Sequence, residues 1–142
     1  MENNLSPKKP KLVFVSHSGE DTWVARQIAK EISLKGAKTF LDEADVDVSA
    51  KFEDDIRNAI DFADEFLVLL TPWALKSFYV SLEIGAAWQR RIPIVVVLHG
   101  LTETDMSKRK LPVMLKERST IKLNDIDKYL NQLGSRVASE EN

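Results

Sequence analysis

Glu83 occupies the sequence setting that most suggests chemistry. It is the one charged side chain of residues 77–89, which are otherwise mostly apolar, aromatic or small. If this segment is helical, Tyr79 lies one turn before Glu83, and Ala86 and Ala87 lie one turn after it on the same face. A carboxylate among apolar groups is costly to desolvate unless something binds it. Two interpretations stay open: a functional acid, or a structural acid that reaches water or pairs with a distant Lys or Arg.

A second group of chemically capable residues, Ser16, His17, Ser18 and Gly19, follows a short apolar segment and precedes a helical pattern. Hydroxyls and backbone N–H groups ahead of a helix could bind a phosphate, which the helix dipole also favours. An ordinary turn in which Ser18 makes local hydrogen bonds explains these residues equally well. His17 has no partner at metal-ligand spacing, so we expect it to line a crevice or to contact a carbonyl group.

The loops and helix ends supply further candidates. Trp73 lies in the loop before the helix of residues 77–89, and we expect it to stack on a flat ring of a ligand, whereas Trp88 is expected to pack in the core. Ser77 is placed to cap this helix, and Asp21 or Thr22 is placed to cap the first helix of the chain.

Short apolar segments alternate with amphipathic ones along the chain. The apolar segments predict five strands, near residues 12–15, 39–41, 66–70, 94–98 and 120–123. The amphipathic segments predict four helices, the last over about residues 126–133. Strands that alternate with helices form a parallel sheet covered on both faces. The pattern therefore predicts an α/β fold with an open parallel sheet of about five strands.

The ligand crevice of such a sheet lies beyond the carboxyl ends of its strands. The loops after Val15, Leu41, Leu70 and Leu98 are therefore the expected place for chemistry. The helix that carries Glu83 begins just after the loop that follows Leu70. The predicted topology and the apolar setting of Glu83 thus point to the same crevice.

The chain of 142 residues fits one domain with a substantial core. We expect residues 1–10 to form a flexible arm, residues 11–133 to form the folded domain and residues 134–142 to form a frayed tail.

Composition excludes several classes of partner. A net charge of −2 and a pI near 5.7 predict no attraction to nucleic acid or to anionic membranes. The longest apolar run, Ile92 to Leu98, is too short to span a bilayer, so no membrane association is expected. The absence of cysteine excludes disulfides, and with two histidines no metal site is expected. A cysteine-free chain suits a reducing compartment, and we expect a cytoplasmic location.

Common catalytic signatures are absent from the sequence. There is no glycine-rich dinucleotide or P-loop pattern and no G-x-S-x-G element. The acidic residues from Asp42 to Asp47 lack the spacing of an EF-hand calcium loop.

Three segments resemble motifs of Toll/interleukin-1 receptor (TIR) domains. Leu12 to Asp21 resembles the first motif, a strand that ends in Ser-His-Ser and an acidic pair. Phe40-Leu41-Asp42 resembles the second strand and its following aspartate. Leu69 to Trp88 is similar to the family's Ser-x-Trp-x-x-x-Glu-Leu-Gly-Ala-Ala segment, particularly in its bacterial form, with Tyr79 in place of the usual tryptophan. The resemblance covers about residues 11–133.

The resemblance implies a flavodoxin-like fold and a chemistry. Enzymatic TIR domains cleave NAD+ between nicotinamide and ribose, and the resemblance places their catalytic glutamate at Glu83. It assigns substrate binding to Ser16, His17, Ser18, Gly19, Asp42, Trp73, Ser77, Phe78 and Tyr79. NAD+ is the substrate, and no further cofactor or metal is implied. The resemblance also implies self-association or binding to another TIR domain, and a role in defence or signalling.

Other functions fit the same residues. The chain could be a TIR interaction module without turnover, because a fold does not determine a function. It could also be an enzyme similar to nucleoside deoxyribosyltransferases, in which a glutamate acts at a glycosidic bond. A phosphoacceptor receiver domain shares the architecture but requires an acidic pair after the first strand and an aspartate after the third. This chain has Ser16-His17 and Thr71 at those places, so a receiver function is set aside.

Overall fold

Five strands and four α-helices form the described part of the protein. The computed structural model describes residues 11–41, 50–102, 104–105, 115, 118 and 120–141. The strands are β1 (Leu12–Ser16), β2 (Lys38–Leu41), β3 (Glu65–Leu70), β4 (Ile94–Leu98) and β5 (Thr120–Lys122). The helices are α1 (Thr22–Leu34), α2 (Ala50–Phe62), α3 (Phe78–Arg90) and α4 (Asp127–Glu141). The flexible arm predicted for residues 1–10 and the candidate Asp42 lie outside the described residues.

All neighbouring strands are parallel, and the order across the sheet is β2-β1-β3-β4-β5. This is the flavodoxin-like order, and the direction of winding reverses between β1 and β3. The prediction of a flavodoxin-like α/β fold is therefore confirmed. The reversal creates a crevice at the carboxyl ends of β1 and β3, since the connections from these strands run to opposite faces of the sheet.

The sheet separates two apolar clusters. All six residues of β3 are buried, as expected of a central parallel strand. Because successive side chains of a strand alternate between faces, Phe66 and Val68 pack toward α2 and α3, whereas Leu67 and Leu69 pack toward α1 and α4. The helices that form the crevice near Glu83 therefore belong to one face of the sheet.

The frayed tail predicted from Gly134 is wrong. Helix α4 continues to Glu141, and Val137 is buried in the cluster of α1 and α4. A side chain at Gly36, where α1 has ended, would come within 3.2 Å of Val137, which shows how closely the two helices approach. Packing against α1 offsets the cost of a glycine inside α4. The core position predicted for Trp88 is also wrong, because this side chain is 51% exposed.

An ion-pair cluster around the buried Glu65 lies at the amino end of β3. The Glu65 carboxylate accepts a hydrogen bond from the Tyr129 hydroxyl (3.1 Å) and lies 2.9 Å from Arg136 Nη2 and 3.4 Å from Lys11 Nζ. The cluster ties β3 to α4 and to the residue before β1. Arg136 thus contributes to the fold from a segment that the sequence pattern assigned to a tail.

Burial, together with the Glu65 carboxylate, raises the pKa of Tyr129 well above its usual value of 10. Above pH 10 the unfolded chain loses this proton while the folded protein keeps it, so the free energy of unfolding decreases as pH rises. We expect this one group to contribute a slope approaching about −1.4 kcal/mol per pH unit. Urea unfolding of the wild type and of Tyr129→Phe between about pH 9 and pH 11 measures it. The two proteins differ only in the Tyr129 hydroxyl, so equal pH dependence in the two would contradict the expectation.

None of the described helices has the length and apolar character needed to cross a membrane.

Candidate active site

Glu83 lies in the second turn of α3 and is buried, with 3% of its surface exposed. Ser77 is the N-cap of this helix and determines where it begins. The Ser77 hydroxyl accepts a hydrogen bond from the Val80 N–H at 3.2 Å. The predicted capping role of Ser77 is therefore confirmed. The cap brings the start of α3 to the loop after β3, and Glu83 follows one turn and a half later.

Ser16, the last residue of β1, holds the carboxylate of Glu83. Its hydroxyl donates a hydrogen bond to Glu83 Oε1 at 2.7 Å, and both side chains are buried. The distance is typical of a well-formed hydrogen bond from a hydroxyl to an oxygen. This contact connects the carboxyl end of β1 to α3, so the orientation of the carboxylate depends on the packing of that helix against the sheet.

A cavity of about 410 Å³ lies between α2 and α3 beside Glu83. This volume is within the range of small-molecule sites. Apolar and aromatic side chains form most of its wall, with one acid and one base. The residues that line it are Ile56, Arg57, Ile60, Phe78, Tyr79, Leu82, Glu83 and Ala86. A negative charge beside a mainly apolar wall is suited to stabilise a positive charge, because apolar side chains screen the interaction less than water does.

Two lining residues are more exposed than apolar side chains usually are. Phe78 is 74% exposed, Leu82 is 53% exposed, and both lie on the outer side of α3. They are one helical turn apart and therefore share a face. The entrance to the cavity is thus bordered by apolar surface that a flat ligand or another protein could cover.

A second hydrogen-bond network joins the loops after β1 and β3. Asp21 Oδ2 accepts hydrogen bonds from the Ser18 hydroxyl (2.7 Å) and the Thr71 hydroxyl (2.6 Å). Thr71 Oγ1 in turn accepts one from the Ala74 N–H at 3.0 Å. Asp21 makes no side-chain cap of α1, because its carboxylate serves this network instead. Asp21 is therefore the N-cap residue, one of the two predicted, but without a capping hydrogen bond from its side chain. Thr22, the first residue of α1, donates to the Gly19 carbonyl oxygen.

We expect Thr71→Val to lower the free energy of unfolding by about 1.5–3 kcal/mol, the usual contribution of a hydrogen bond to a charged group. The substitution keeps the shape of the side chain but removes a donor to the buried Asp21 and the acceptor of the Ala74 N–H. Urea unfolding measures the loss. Thr22→Val is the matched control, since its hydroxyl bond to Gly19 is exposed. Equal losses in the two variants would contradict a special role of the buried network.

The Ser16–Gly19 segment differs from an open phosphate cradle. Ser16, His17 and Ser18 are buried, and the two hydroxyls donate to Glu83 and Asp21. His17 Nδ1 lies 3.5 Å from the Val15 carbonyl oxygen, in line with the expected contact to a carbonyl group. Gly19 is exposed. The role of this segment in substrate binding stays a prediction.

The structure brings together Glu83, Ser16, Phe78 and Tyr79, and it separates others from them. Trp73 is exposed in the loop after β3 and does not line the cavity as far as the described residues define it. The described residues also contain no group of three or more His, Asp or Glu side chains arranged to hold a metal ion.

The wall formed by α2 was not predicted. Ile56 and Ile60 belong to one of the amphipathic segments that predict helices, and the structure shows that they also line the cavity. The crossovers from β2 to β3 and from β3 to β4 run in the same direction across the sheet, and this order is the signal that could have placed α2 and α3 side by side on one face. No signal in the sequence singled out Arg57 or the bond between Asp21 and Thr71.

Structural comparison finds the same fold in proteins of low sequence identity. The TIR domain of the Toll-related receptor TRR-2 from Hydra magnipapillata matches with a TM-score of 0.62 at 18% identity, over 91% of this chain and 95% of that one. A 2-desoxiribosyltransferase from Leishmania mexicana matches with a TM-score of 0.66 at 12% identity, over 86% and 98%. A metazoan TIR-STING receptor from C. gigas matches with a TM-score of 0.64 at 22% identity, over 87% of this chain and 39% of that one.

Sequence comparison identifies the family. No match was found among curated protein sequences. A family model described as TIR domain matches residues 13–134, which include β1 except Leu12, both partners of the Ser16–Glu83 hydrogen bond and the whole of α3. The match covers most of the chain and confirms the resemblance carried by the three motifs. The chain belongs to the TIR domain family.

Proposed function

We propose that this TIR domain cleaves NAD+ at the bond between nicotinamide and ribose. TIR domains can act as NADases or as adaptors. The observation that supports the enzymatic role is the position of Glu83, a buried carboxylate that Ser16 orients beside a mainly apolar cavity. A domain that acts only by surface contacts has no need of an oriented carboxylate at the wall of a cavity.

The reaction requires little of the protein beyond this charge. Nicotinamide leaves NAD+ as a neutral molecule that takes the electrons of the glycosidic bond, so no general acid is needed. Positive charge then develops on the ribose, as in the oxocarbenium transition state of glycoside hydrolysis. The Glu83 carboxylate would stabilise that charge, and the apolar wall would strengthen the interaction by excluding water. Water adds to the ribose carbon and releases a proton, which yields ADP-ribose. Attack by a group of the same molecule instead yields a cyclic product.

Aromatic side chains at the cavity suit the leaving group. Phe78 and Tyr79 line the cavity beside Glu83 and are partly exposed. A cationic pyridinium ring is attracted to the face of an aromatic ring, and the attraction weakens once the ring has left as neutral nicotinamide. Tyr79 occupies the place of the family's usual tryptophan, and in this proposal it keeps the aromatic contact.

Product analysis tests the proposal directly. Purified protein is incubated with NAD+ and the products are identified by NMR, with the protein concentration varied. We expect nicotinamide together with ADP-ribose or a cyclic form of it. TIR domains commonly self-associate, so a rate that rises more steeply than the protein concentration would support assembly of the active form. Absence of nicotinamide at every concentration would overturn the proposal. In this proposal, NAD+ consumption in the cytoplasm serves defence or signalling.

An adaptor function is the second candidate, and the exposed Phe78 and Leu82 favour it. If the protein is an adaptor, Glu83→Gln leaves self-association unchanged and no NAD+ is consumed. Because a 2-desoxiribosyltransferase has the same fold, the protein is also incubated with a 2′-deoxynucleoside and a different free base. Exchange of the base in that arm would identify a transferase.

A further inference from the structure

Arg57 is the one basic side chain in the described lining of the cavity beside Glu83. It lies on α2 between Ile56 and Ile60, whose side chains hold this helix to the core. Arg57 is exposed, and it makes no hydrogen bond or ion pair in the part of the chain that the structure describes. A guanidinium group at a cavity wall is therefore available to a ligand.

The cavity thus has opposite charges on its two helices, Arg57 on α2 and Glu83 on α3. The rest of the lining is apolar or aromatic apart from the Tyr79 hydroxyl. A matching ligand carries a positive and a negative group within one small molecule that also has a flat ring. The nicotinamide nucleotide half of NAD+ has this character, with a cationic ring on one side of the ribose and a phosphate on the other.

The segment between β1 and α1 leaves the phosphate without its expected hydroxyl donors. The hydroxyls of Ser16 and Ser18 donate to Glu83 and Asp21. A phosphate bound near Glu83 therefore needs another donor. A guanidinium group is well suited, because its planar set of N–H groups can bind two phosphate oxygens at once.

We propose that Arg57 binds the phosphate next to the nicotinamide ribose and thereby restricts the substrate to phosphorylated nicotinamide nucleosides. This inference rests on the proposed function for its substrate. It makes Arg57 a specificity-determining residue, because the nucleoside nicotinamide riboside has no phosphate for it to bind.

Turnover of three substrates tests the inference: NAD+, nicotinamide mononucleotide and nicotinamide riboside. We expect Arg57→Gln to lower kcat/KM for the first two by about 10- to 100-fold, the equivalent of one hydrogen-bonded charge. Cleavage of the riboside should not change, and Arg57→Lys should restore part of the loss. Arg91→Gln is the matched control, since Arg91 follows α3 at the end remote from Glu83. Equal losses on all three substrates, or none, would overturn the inference.

A binding experiment separates this inference from the proposed function. Calorimetric titration of Glu83→Gln with nicotinamide mononucleotide and with the riboside requires no turnover. We expect tighter binding of the mononucleotide, and we expect the difference to vanish in the Glu83→Gln, Arg57→Gln double variant. An Arg57-dependent difference without NAD+ cleavage by the wild type would leave the inference standing and the proposed function rejected. NAD+ cleavage by the wild type without any such difference in binding would leave the proposed function standing and the inference rejected. Binding of neither ligand would also overturn the inference.

Discussion

We expect Glu83→Gln to leave the protein folded and to lower NAD+ cleavage by a factor of at least about 10²–10³. Glutamine has nearly the same shape, and its carbonyl oxygen can still accept the hydrogen bond that Ser16 donates to Glu83 Oε1. The packing of α3 against the sheet is therefore preserved. The lost property is the negative charge that faces the ribose in the transition state.

Two measurements on this variant distinguish catalysis from structure. The rate of nicotinamide release reports the charge, and thermal unfolding reports the fold. We expect the melting temperature to change by less than about 4 °C, which corresponds to roughly 1 kcal/mol for a domain of this size. Glu31→Gln is a matched control, because Glu31 is exposed on α1 at the opposite face of the sheet. Normal cleavage by a folded Glu83→Gln protein would remove the main support for an enzymatic function.

The largest effect on stability is expected from Glu65→Gln. This change removes the negative charge that is shared by Arg136, Lys11 and the hydroxyl of Tyr129. Breaking a buried ion pair by removing one partner typically costs about 3–5 kcal/mol. Arg136 is 41% exposed and can reorient toward solvent. We therefore expect the free energy of unfolding to decrease by about 3 kcal/mol, the lower end of that range. Urea unfolding at neutral pH provides the measurement.

A surface ion pair provides the matched control for Glu65→Gln. Asp61 Oδ1 lies 3.9 Å from Arg90 Nε, and both side chains are substantially exposed. Exposed pairs contribute about 0–1 kcal/mol, so Asp61→Asn should change stability little. A loss of the same size in both variants would show that the burial of Glu65 at the amino end of β3 does not increase the contribution of its ion pairs to stability.

Much of the fold could be predicted because its signals are local. The apolar segments at residues 66–70 and 94–98 correspond closely to β3 and β4, and their burial on both faces explains the continuous apolar character. The end of α4 could not be found in this way. Gly134 is typical of a helix end, but Val137 packs with the cluster of α1 and Arg136 pairs with Glu65. Both contacts join parts of the chain that are distant in sequence.

In the candidate site, too, features with a local sequence signal could be predicted, and features that depend on tertiary contacts could not. Glu83 was identifiable because a lone acid in an apolar helix is a local pattern, and the predicted sheet topology placed it near the carboxyl end of β1, where Ser16 lies. Its direct bond to Ser16 and the bond of Asp21 to Thr71 depend on tertiary contacts. The exposure of Trp73 and Trp88 is likewise determined by the surroundings, since both side chains occur in segments that also supply buried residues.

The strand order has a consequence for synthesis of the protein. β1 is the first of the five strands to be made, yet it lies between β2 and β3 in the sheet. Its second partner, β3, follows about fifty residues later, which at about 5–20 residues per second takes the ribosome roughly 3–10 s. Throughout that interval an apolar strand has at least one unpaired edge, a surface that favours aggregation. The topology that brings Ser16 to Glu83 therefore leaves an aggregation-prone edge on the nascent chain until β3 has been made.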